Sequence, residues 1–245
     1  LTVTDVNGNV STCESIVTVE DNIAPEAICQ NIVIQLDENG QESIIPEQID
    51  NGSSDACGIA SLEVSQSDFD CSHVGSNTVI LTVTDVNGNV SICESIITVE
   101  DHVAPIALSQ DVTIQLDANG NASITPEQID NGSNDACGIA SLEVSQSNFD
   151  CSHVGLNIVV LTVIDNNSNV STTEAIVTVE DNIEPIVICQ NITVQLDVLG
   201  QFVLNPIQID NGSSDACGIA SLEVSQSEFD CSHIGPNTIT LLVTD

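Results

Sequence analysis

The sequence contains no lysine and no arginine among its 245 residues, and it has no tryptophan, tyrosine or methionine. Against this stand 37 aspartates and glutamates, so the formal net charge at pH 7 is −37. With no cation to set against phosphates, no nucleic acid partner is expected, and an anionic membrane surface is excluded on the same ground. No apolar run is long enough for a transmembrane helix, so no membrane insertion is expected in this segment. There is no signal peptide, and the chain opens without an initiator methionine, inside a strand pattern. The missing tryptophan and tyrosine remove the aromatic platforms on which a lectin-like module would stack sugar rings. The missing lysine and arginine also remove trypsin sites and Lys–Asn isopeptide crosslinks, so toughness has to come from disulfides and metal. A chain charged with one sign repels itself unless cations offset it, and divalent metal is the natural counter-ion.

Acidity of this degree often accompanies disorder, but 41% of the residues are apolar. They are valine, isoleucine and leucine in short runs punctuated by Gly, Asn, Asp and Ser, a pattern that can bury a core. The runs also repeat. "LTVTDVNGNVS" at Leu1 returns unchanged at Leu81, becomes "LTVIDNNSNVS" at Leu161 and restarts as "LLVTD" at Leu241, a period of 80 residues. "VEDNIAP" at Val19 returns as "VEDHVAP" at Val99 and "VEDNIEP" at Val179, where a proline after an acidic pair separates two extended runs. These phrases divide the chain into the C-terminal hairpin of a preceding repeat (1–20), repeats over 21–100 and 101–180, and a truncated repeat over 181–245. A unit of this length is domain-sized, unlike the units of solenoids.

Within a repeat the periodicity is that of strands. "ICQNIVIQL", "ESIIPEQI", "IASLEVSQ", "TVILTVTD" and "VSICESIITVE" are separated by the "ENG", "DNGSSDACG" and "DVNGN" turns, and Ala60, Leu62 and Val64 alternate with polar residues. Pro46, Pro126 and Pro206 mark a strand start, edge or bulge. The expected class is all-β: tandem immunoglobulin-like β-sandwich domains with six or seven short strands per 80-residue repeat.

The first repeat holds Cys29, Cys57, Cys71 and Cys93, whereas the second keeps Cys137 and Cys151 but carries Ser109 and Thr173 at the other two positions. Joint loss argues for a Cys29–Cys93 bridge and, by elimination, Cys57–Cys71. The same in-repeat pattern gives Cys137–Cys151 and Cys217–Cys231, with Cys189 and Cys13 pairing beyond Asp245 and before Leu1. The rival pairing, Cys13–Cys29, leaves Cys93 and Cys189 facing substituted partners. Disulfides imply an oxidising, extracellular setting. Zinc is the competing use of clustered Cys and His, but Cys57 and Cys71 lack the close C-x-x-C spacing of structural zinc sites.

"DCSH", from Asp70 to His73, invites a catalytic reading that strand geometry opposes, since neighbours on an extended chain point to opposite faces. His73, His153 and His233 hold one repeat position, and His102 replaces an asparagine found at Asn22 and Asn182. No nucleophile elbow, phosphate loop or zinc-protease helix is present, so the chain is not expected to be an enzyme. Oxygen ligands are the stronger chemistry. Asp85, Asn87 and Asn89 stand at alternate positions of a tight turn, an arrangement suited to Ca²⁺, and repeat two has Asp165, Asn167 and Asn169 there. Immunoglobulin-like topology would gather these with Glu20, Asp21, Asp50 and Asp55, and in the second repeat with Glu100, Asp101, Asp130 and Asp135. The third repeat offers Glu180, Asp181, Asp210, Asp215 and Asp245. So many carboxylates at one pole, with no base available, call for a cation. Structural Ca²⁺ at the joints between repeats is the expected cofactor.

The order of "DNG", "DACG", "F-D-C", "VG-x-N-T" and "TVTDVNGNVS…TVED" resembles the hyalin repeat (HYR) family, and more closely the tandem HYR-type repeats of large Bacteroidetes cell-surface adhesins such as the gliding-motility adhesin. The resemblance covers the whole chain and implies an immunoglobulin-like sandwich, export to the cell surface through the type IX system, and a role in adhesion or surface filaments. Ser109 and Thr173 depart from its cysteine pattern. The expected partners are neighbouring repeats of the same long chain, other filaments or surface polysaccharide. The alternative is a self-polymerising filament subunit in which strand donation between chains sets Cys13 of one copy against Cys189 of another.

Overall fold

The computed structural model describes residues 1–245. The chain divides into two compact units, Leu1–Val103 and Ala104–Asp245.

The first unit opens with an exposed hairpin of β1 (Thr2–Thr4) and β2 (Val10–Thr12). There follow β3 (Ile32–Gln35), β4 (Gln41–Ser43), the one-turn helix α1 (Pro46–Ile49), β5 (Ile59–Val64), β6 (Asp68–Asp70), β7 (Gly75–Asp85) and β8 (Val90–Glu100). One sheet has the order β3-β8-β7-β5, with β3 parallel to β8 and the other neighbours antiparallel; β4 and β6 pair in a second layer. Alternation along β7 turns Val79, Leu81 and Val83 inward, where they are fully buried with Ile97 and Val99 of β8. Ile44, Ile49 and Phe69 close the core from the other side. This is an immunoglobulin-like β-sandwich.

The second unit repeats the plan with β9 (Val112–Gln115), β10 (Asn121–Ser123), α2 (Pro126–Ile129), β11 (Ile139–Val144), β12 (Asn148–Asp150), β13 (Gly155–Asp165) and β14 (Val170–Glu180). Its four-stranded sheet runs β11-β13-β14-β9, and β10 pairs with β12. Residues 181–245 supply β15 (Gln201–Val203), β16 (Ser221–Val224), β17 (Glu228–Asp230) and β18 (Leu241–Thr244), paired β15–β17 and β16–β18 around Leu204, Ile209, Leu241 and Val243.

Two local expectations change. Pro46 and Pro126 start one-turn helices rather than strands, because a proline needs no amide partner at the first helical position. The Gln48 and Gln128 side chains accept from the amides of Ile45 and Thr125, both at 2.7 Å, and swing Ile49 and Ile129 fully into the core. Pro206 likewise opens a 3₁₀ turn, Pro206–Gln208. The alternation of Ala60, Leu62 and Val64 is broken by a bulge, since Ile59 faces Asp85 while Ser61 faces Thr84. The extra residue leaves Ala60 exposed and turns Ile59 toward the core.

The β13–β14 turn also carries strain. Gly88 has φ +91° in the first repeat, and Ser168 adopts φ +73° at the same position of the second. A side chain in the left-handed region costs about 1 kcal/mol. Ser168→Gly is therefore expected to stabilise the β13–β14 hairpin by about 1 kcal/mol, read as slower amide exchange across that hairpin.

Candidate metal and disulfide joints

Each β-hairpin turn is held by its leading aspartate. Asp85, 1% exposed, accepts the amides of Asn87 (2.9 Å) and Asn89 (2.8 Å) on Oδ1 and the Asn89 side-chain amide (2.7 Å) on Oδ2. Burial pushes its carboxyl up, but the Asn89 side chain and the Asn89, Asn87 and Gly88 amides outweigh that and leave it below the usual carboxylate range. Asp165 makes the same three bonds with Asn167 and Asn169. The Asn89 side-chain amide also reaches the carbonyls of Asp21 (3.2 Å) and Ile23 (3.1 Å), tying the turn to the segment that enters the sandwich.

The carboxylates of Asp21 and Asp55 and the sulfur of Cys57 lie within 4.8 Å of one another, as do those of Asp181, Asp215 and Cys217. Backbone geometry aims them. Asp21 accepts from Ile23 (3.0 Å) and Asp55 from Cys57 (2.7 Å), and Asp181 and Asp215 do the same with Ile183 (3.1 Å) and Cys217 (2.7 Å). Two close carboxylates with no base beside them suit a hard divalent cation, which would be held through oxygen. Sulfur does not fit that ion, and Cys217 Sγ is already in a disulfide. Asp21 and Asp55 in the first unit, and Asp181 and Asp215 in the second, are among the residues that could hold such an ion.

Other expected ligands do not join these groups. Asp50, Asp130 and Asp210 each accept two loop amides and sit beside Cys29, Ser109 and Cys189 in isolated bridges. Because Cys29 is bonded to Cys93, which faces Leu81 in mid-strand, Asp50 lies part-way along the sandwich rather than at its pole. Burial raises the Asp50 carboxyl, and the Ser53 hydroxyl with the Ser53 and Gly52 amides brings it below its ordinary value. Glu100 and Glu180 accept from Gln35 and Gln115 (both 2.6 Å), and Glu20 and Asp245 are exposed. Asn87 and Asn167 contribute their amides to the turns. Asp101 and Asp135, by contrast, make the same local bonds as Asp21 and Asp55, accepting from Val103 (3.0 Å) and Cys137 (2.7 Å), and remain candidate ligands.

Cys57 is a free, exposed thiol. Its hydrogen bond to the Asp21 carboxylate, then the negative charges of Asp21, Asp55 and Asp85, push it above the ordinary thiol value. Thiolate is the reactive form, so Asp21→Asn is expected to speed alkylation of Cys57 by iodoacetamide at neutral pH by about threefold or more, read by mass spectrometry of the Cys57 peptide.

The structure joins Cys29 to Cys93, 64 residues apart. In the second repeat the same two positions are taken by Ser109 and Thr173, whose hydroxyls lie 3.1 Å apart, and Ser109 also donates to the Glu174 carbonyl at 2.6 Å.

The expected short bridges are corrected. Cys151 bonds Cys217, 66 residues on, and not Cys137; Cys57 and Cys231 are free, while Cys71 and Cys137 are each disulfide-bonded. The reason is distance. Cys57 precedes Ile59, which faces Asp85 at one end of β7, whereas Cys71 precedes Gly75 at the other end. An eleven-residue strand separates those ends by roughly 35 Å, far beyond the 7 Å between Cα atoms that a disulfide tolerates.

The bond from Cys151 to Cys217 instead joins a 3₁₀ turn of one 80-residue copy to a loop of the next. Its seat includes a residue the sequence reading overlooked. A Cβ on Gly120, φ +73°, would fall 2.6 Å from Cys151 Sγ and 3.3 Å from the Ala216 Cβ. The Asp-x-x-Gly spacing, repeated at Asp37–Gly40, Asp117–Gly120 and Asp197–Gly200, was the available signal.

"DCSH" is a turn cap. Asp70 Oδ1 accepts the Ser72 amide (2.9 Å) and hydroxyl (2.6 Å) and lies 2.8 Å from His73 Nδ1, while the His73 ring stands edge-on to Phe69. The Ser72 hydroxyl and amide, with His73, hold the Asp70 carboxyl below its ordinary value. The Ser72 hydroxyl lies closer to the carboxylate (2.6 Å) than to the imidazole (3.4 Å), and Cys71 and Cys151 are consumed in disulfides, so the segment has the geometry of a structural corner. His153 and His233 repeat it, and His102 lies 3.1 Å from Glu100.

No protein-family model matches this chain, and a search of curated proteins finds no relative. Solved structures match at low similarity. Extracellular cadherin domains 1–4 of protocadherin gamma B7 align at 13% identity and TM-score 0.32, covering 91% of this chain and 68% of that one. Domains EC1-2 of human protocadherin-24 align at 11% and 0.35, covering 66% and 100%. The fibronectin(III)-like modules of Clostridium thermocellum CbhA align at 8% and 0.25, covering 64% and 94%. All are β-sandwich repeats, and nothing about this chain's ligands or partners follows from likeness at this level. The class defined by the fold and its joints is a tandem, disulfide-bonded immunoglobulin-like repeat protein.

Proposed function

We propose that this chain is a structural and adhesive segment of a long extracellular rod or filament, its sandwiches locked by disulfides and its joints stiffened by Ca²⁺. The carrying observation is the Cys151–Cys217 bond between consecutive 80-residue copies. A bridge inside one sandwich stabilises that sandwich alone, whereas a bridge across copies limits how far they can separate under load. Such bonds persist in oxidising, extracytoplasmic settings. The resemblance to HYR-type adhesins supplies the finer reading, a cell-surface protein of adhesion or gliding motility whose partners are neighbouring repeats, other filaments or surface polysaccharide. The carboxylate pairs Asp21–Asp55 and Asp181–Asp215 support the cofactor.

Calcium titration of the whole chain tests this reading, following thermal unfolding and the maximum dimension by small-angle scattering. Millimolar Ca²⁺ is expected to raise the melting temperature by about 5 °C or more and to lengthen the particle, and Asp21→Asn, Asp101→Asn and Asp181→Asn together are expected to remove both changes. No change in either quantity would leave these aspartates as turn formers and remove the metal joint.

A second reading, polymerisation by strand donation, has one observation in its favour. Cys13 and Cys189 are free and exposed at the repeat positions held by the bonded Cys93 and Cys29. Non-reducing mass spectrometry finding a Cys13–Cys189 linkage between chains would select it.

A further inference from the structure

The first two repeats differ along one strand of the four-stranded sheet. Strands β7 and β13 share one burial pattern, so equivalent side chains point the same way. The outward series on β7 is Ser76, Thr78, Ile80, Thr82 and Thr84, but on β13 it is Leu156, Ile158, Val160, Thr162 and Ile164. Leu156 and Ile158 are 77% and 69% exposed, and Ile176 stands opposite Ile158 on β14. Three polar positions of this strand have become aliphatic on a face that the fold leaves in water, while the exposed Ile92 and Val33 on the neighbouring strands give way to Thr172 and Thr113. The apolar surface is thereby concentrated along β13, a change the core does not require.

The rim of this stripe changes as well. Asn31 accepts the Ile96 amide in the first repeat, and Asp111 accepts the equivalent Ile176 amide at 2.7 Å in the second. Glu174 lies opposite Val160 and Glu143 opposite Thr162, both exposed. The result is an aliphatic stripe with acidic flanks.

We propose that the outer face of the β11-β13-β14-β9 sheet is a docking face for a protein partner that presents aliphatic side chains flanked by lysine or arginine. Charge decides the occupant. A second copy of this chain brings no lysine or arginine and would set Asp111, Glu143 and Glu174 against carboxylates, whereas a cationic rim would pair with them as the aliphatic centre leaves water.

The test uses a fluorescent peptide of alternating leucine and lysine as probe, with affinity read by anisotropy on the whole chain. Leu156→Ser, Ile158→Thr and Ile164→Thr together install the side chains that the first repeat already carries, so the sheet is expected to stay folded, checked by its thermal melt. This triple variant is expected to bind at least about tenfold more weakly. The reciprocal Ser76→Leu, Thr78→Ile and Thr84→Ile variant is expected to gain a second site. Asp111→Asn is expected to weaken binding at about 50 mM salt and much less at about 500 mM. Equal affinity of wild type and triple variant, or no gain in the reciprocal variant, would overturn the proposal by showing general attraction to a polyanion. Concentration-dependent dimerisation abolished by the triple variant would overturn it in favour of a second copy.

Discussion

Replacing Cys29 and Cys93 together by serine is expected to destabilise the first sandwich by about 4 kcal/mol, the chain-entropy value for closing a loop of this length. The bond spans 64 residues, nearly the whole repeat. It ties the entering segment to the middle of β8, where Cys93 faces Leu81. Ser95 supplies a second tie one step along, fully buried and donating to the Gln30 carbonyl at 2.6 Å. The second sandwich offers an internal control, since Ser109 and Thr173 already stand where the cysteines would be and Ala175 replaces Ser95. A neutral hydrogen bond is worth about 1 kcal/mol, so the reduced first sandwich should approach the stability of the second. Amide exchange of β7 and β8 under native conditions reads this directly, and a change below about 1 kcal/mol would count against the bond as the main constraint on that repeat. Cys151→Ser with Cys217→Ser should cost a similar amount by the same arithmetic, with the loss shared across residues 152–216 because that bond closes across two copies.

The two disulfide classes also show how far a periodic sequence can be read. Cys29 and Cys93 were legible because the second repeat loses both positions, and a joint loss marks a pair. The Cys57 and Cys71 positions occur in every copy, so pairing within a copy and pairing to the next copy leave the same sequence. Only the length of β7, which holds the two positions at opposite ends of the sandwich, separates the alternatives. The strand segments and their inward faces were legible for a plainer reason. Alternation along β7 and β8 fixes which valines and isoleucines are buried, and the bulge at Ala60 is the one place in β5 where the backbone overrides that pattern. The site was legible in part. Acidic residues at the strand ends were visible, but their lone pairs were not. Asp85 and Asp165 spend theirs on their own turns, and Asp50 lies away from the pole, which leaves Asp21 with Asp55 and Asp181 with Asp215 among the close pairs.

Phe149→Ala is expected to cost about 3–5 kcal/mol, the largest loss available from a single side chain in the second sandwich. The chain has four phenylalanines and no other aromatic ring but histidine, so each carries a large share of a core otherwise built from valine, isoleucine and leucine. Phe149 is 2% exposed and packs with Leu116, Ile124, Ile129, Leu161 and Val177. It also meets His153 edge-on at 5.7 Å, which links the core to the capped 3₁₀ turn that presents Cys151. The substitution should therefore loosen that turn as well as the sheet, and the Cys151–Cys217 bond should become easier to reduce. Phe229 holds the same repeat position but is only partly buried, with Phe202 tilted beside it at 6.5 Å. Phe229→Ala should cost roughly half as much, because less apolar surface is withdrawn from water there. Denaturant unfolding of both variants, followed by exchange at β13 and at β16, tests the ranking. Equal losses would mean that burial in the structure does not set the contribution of these rings.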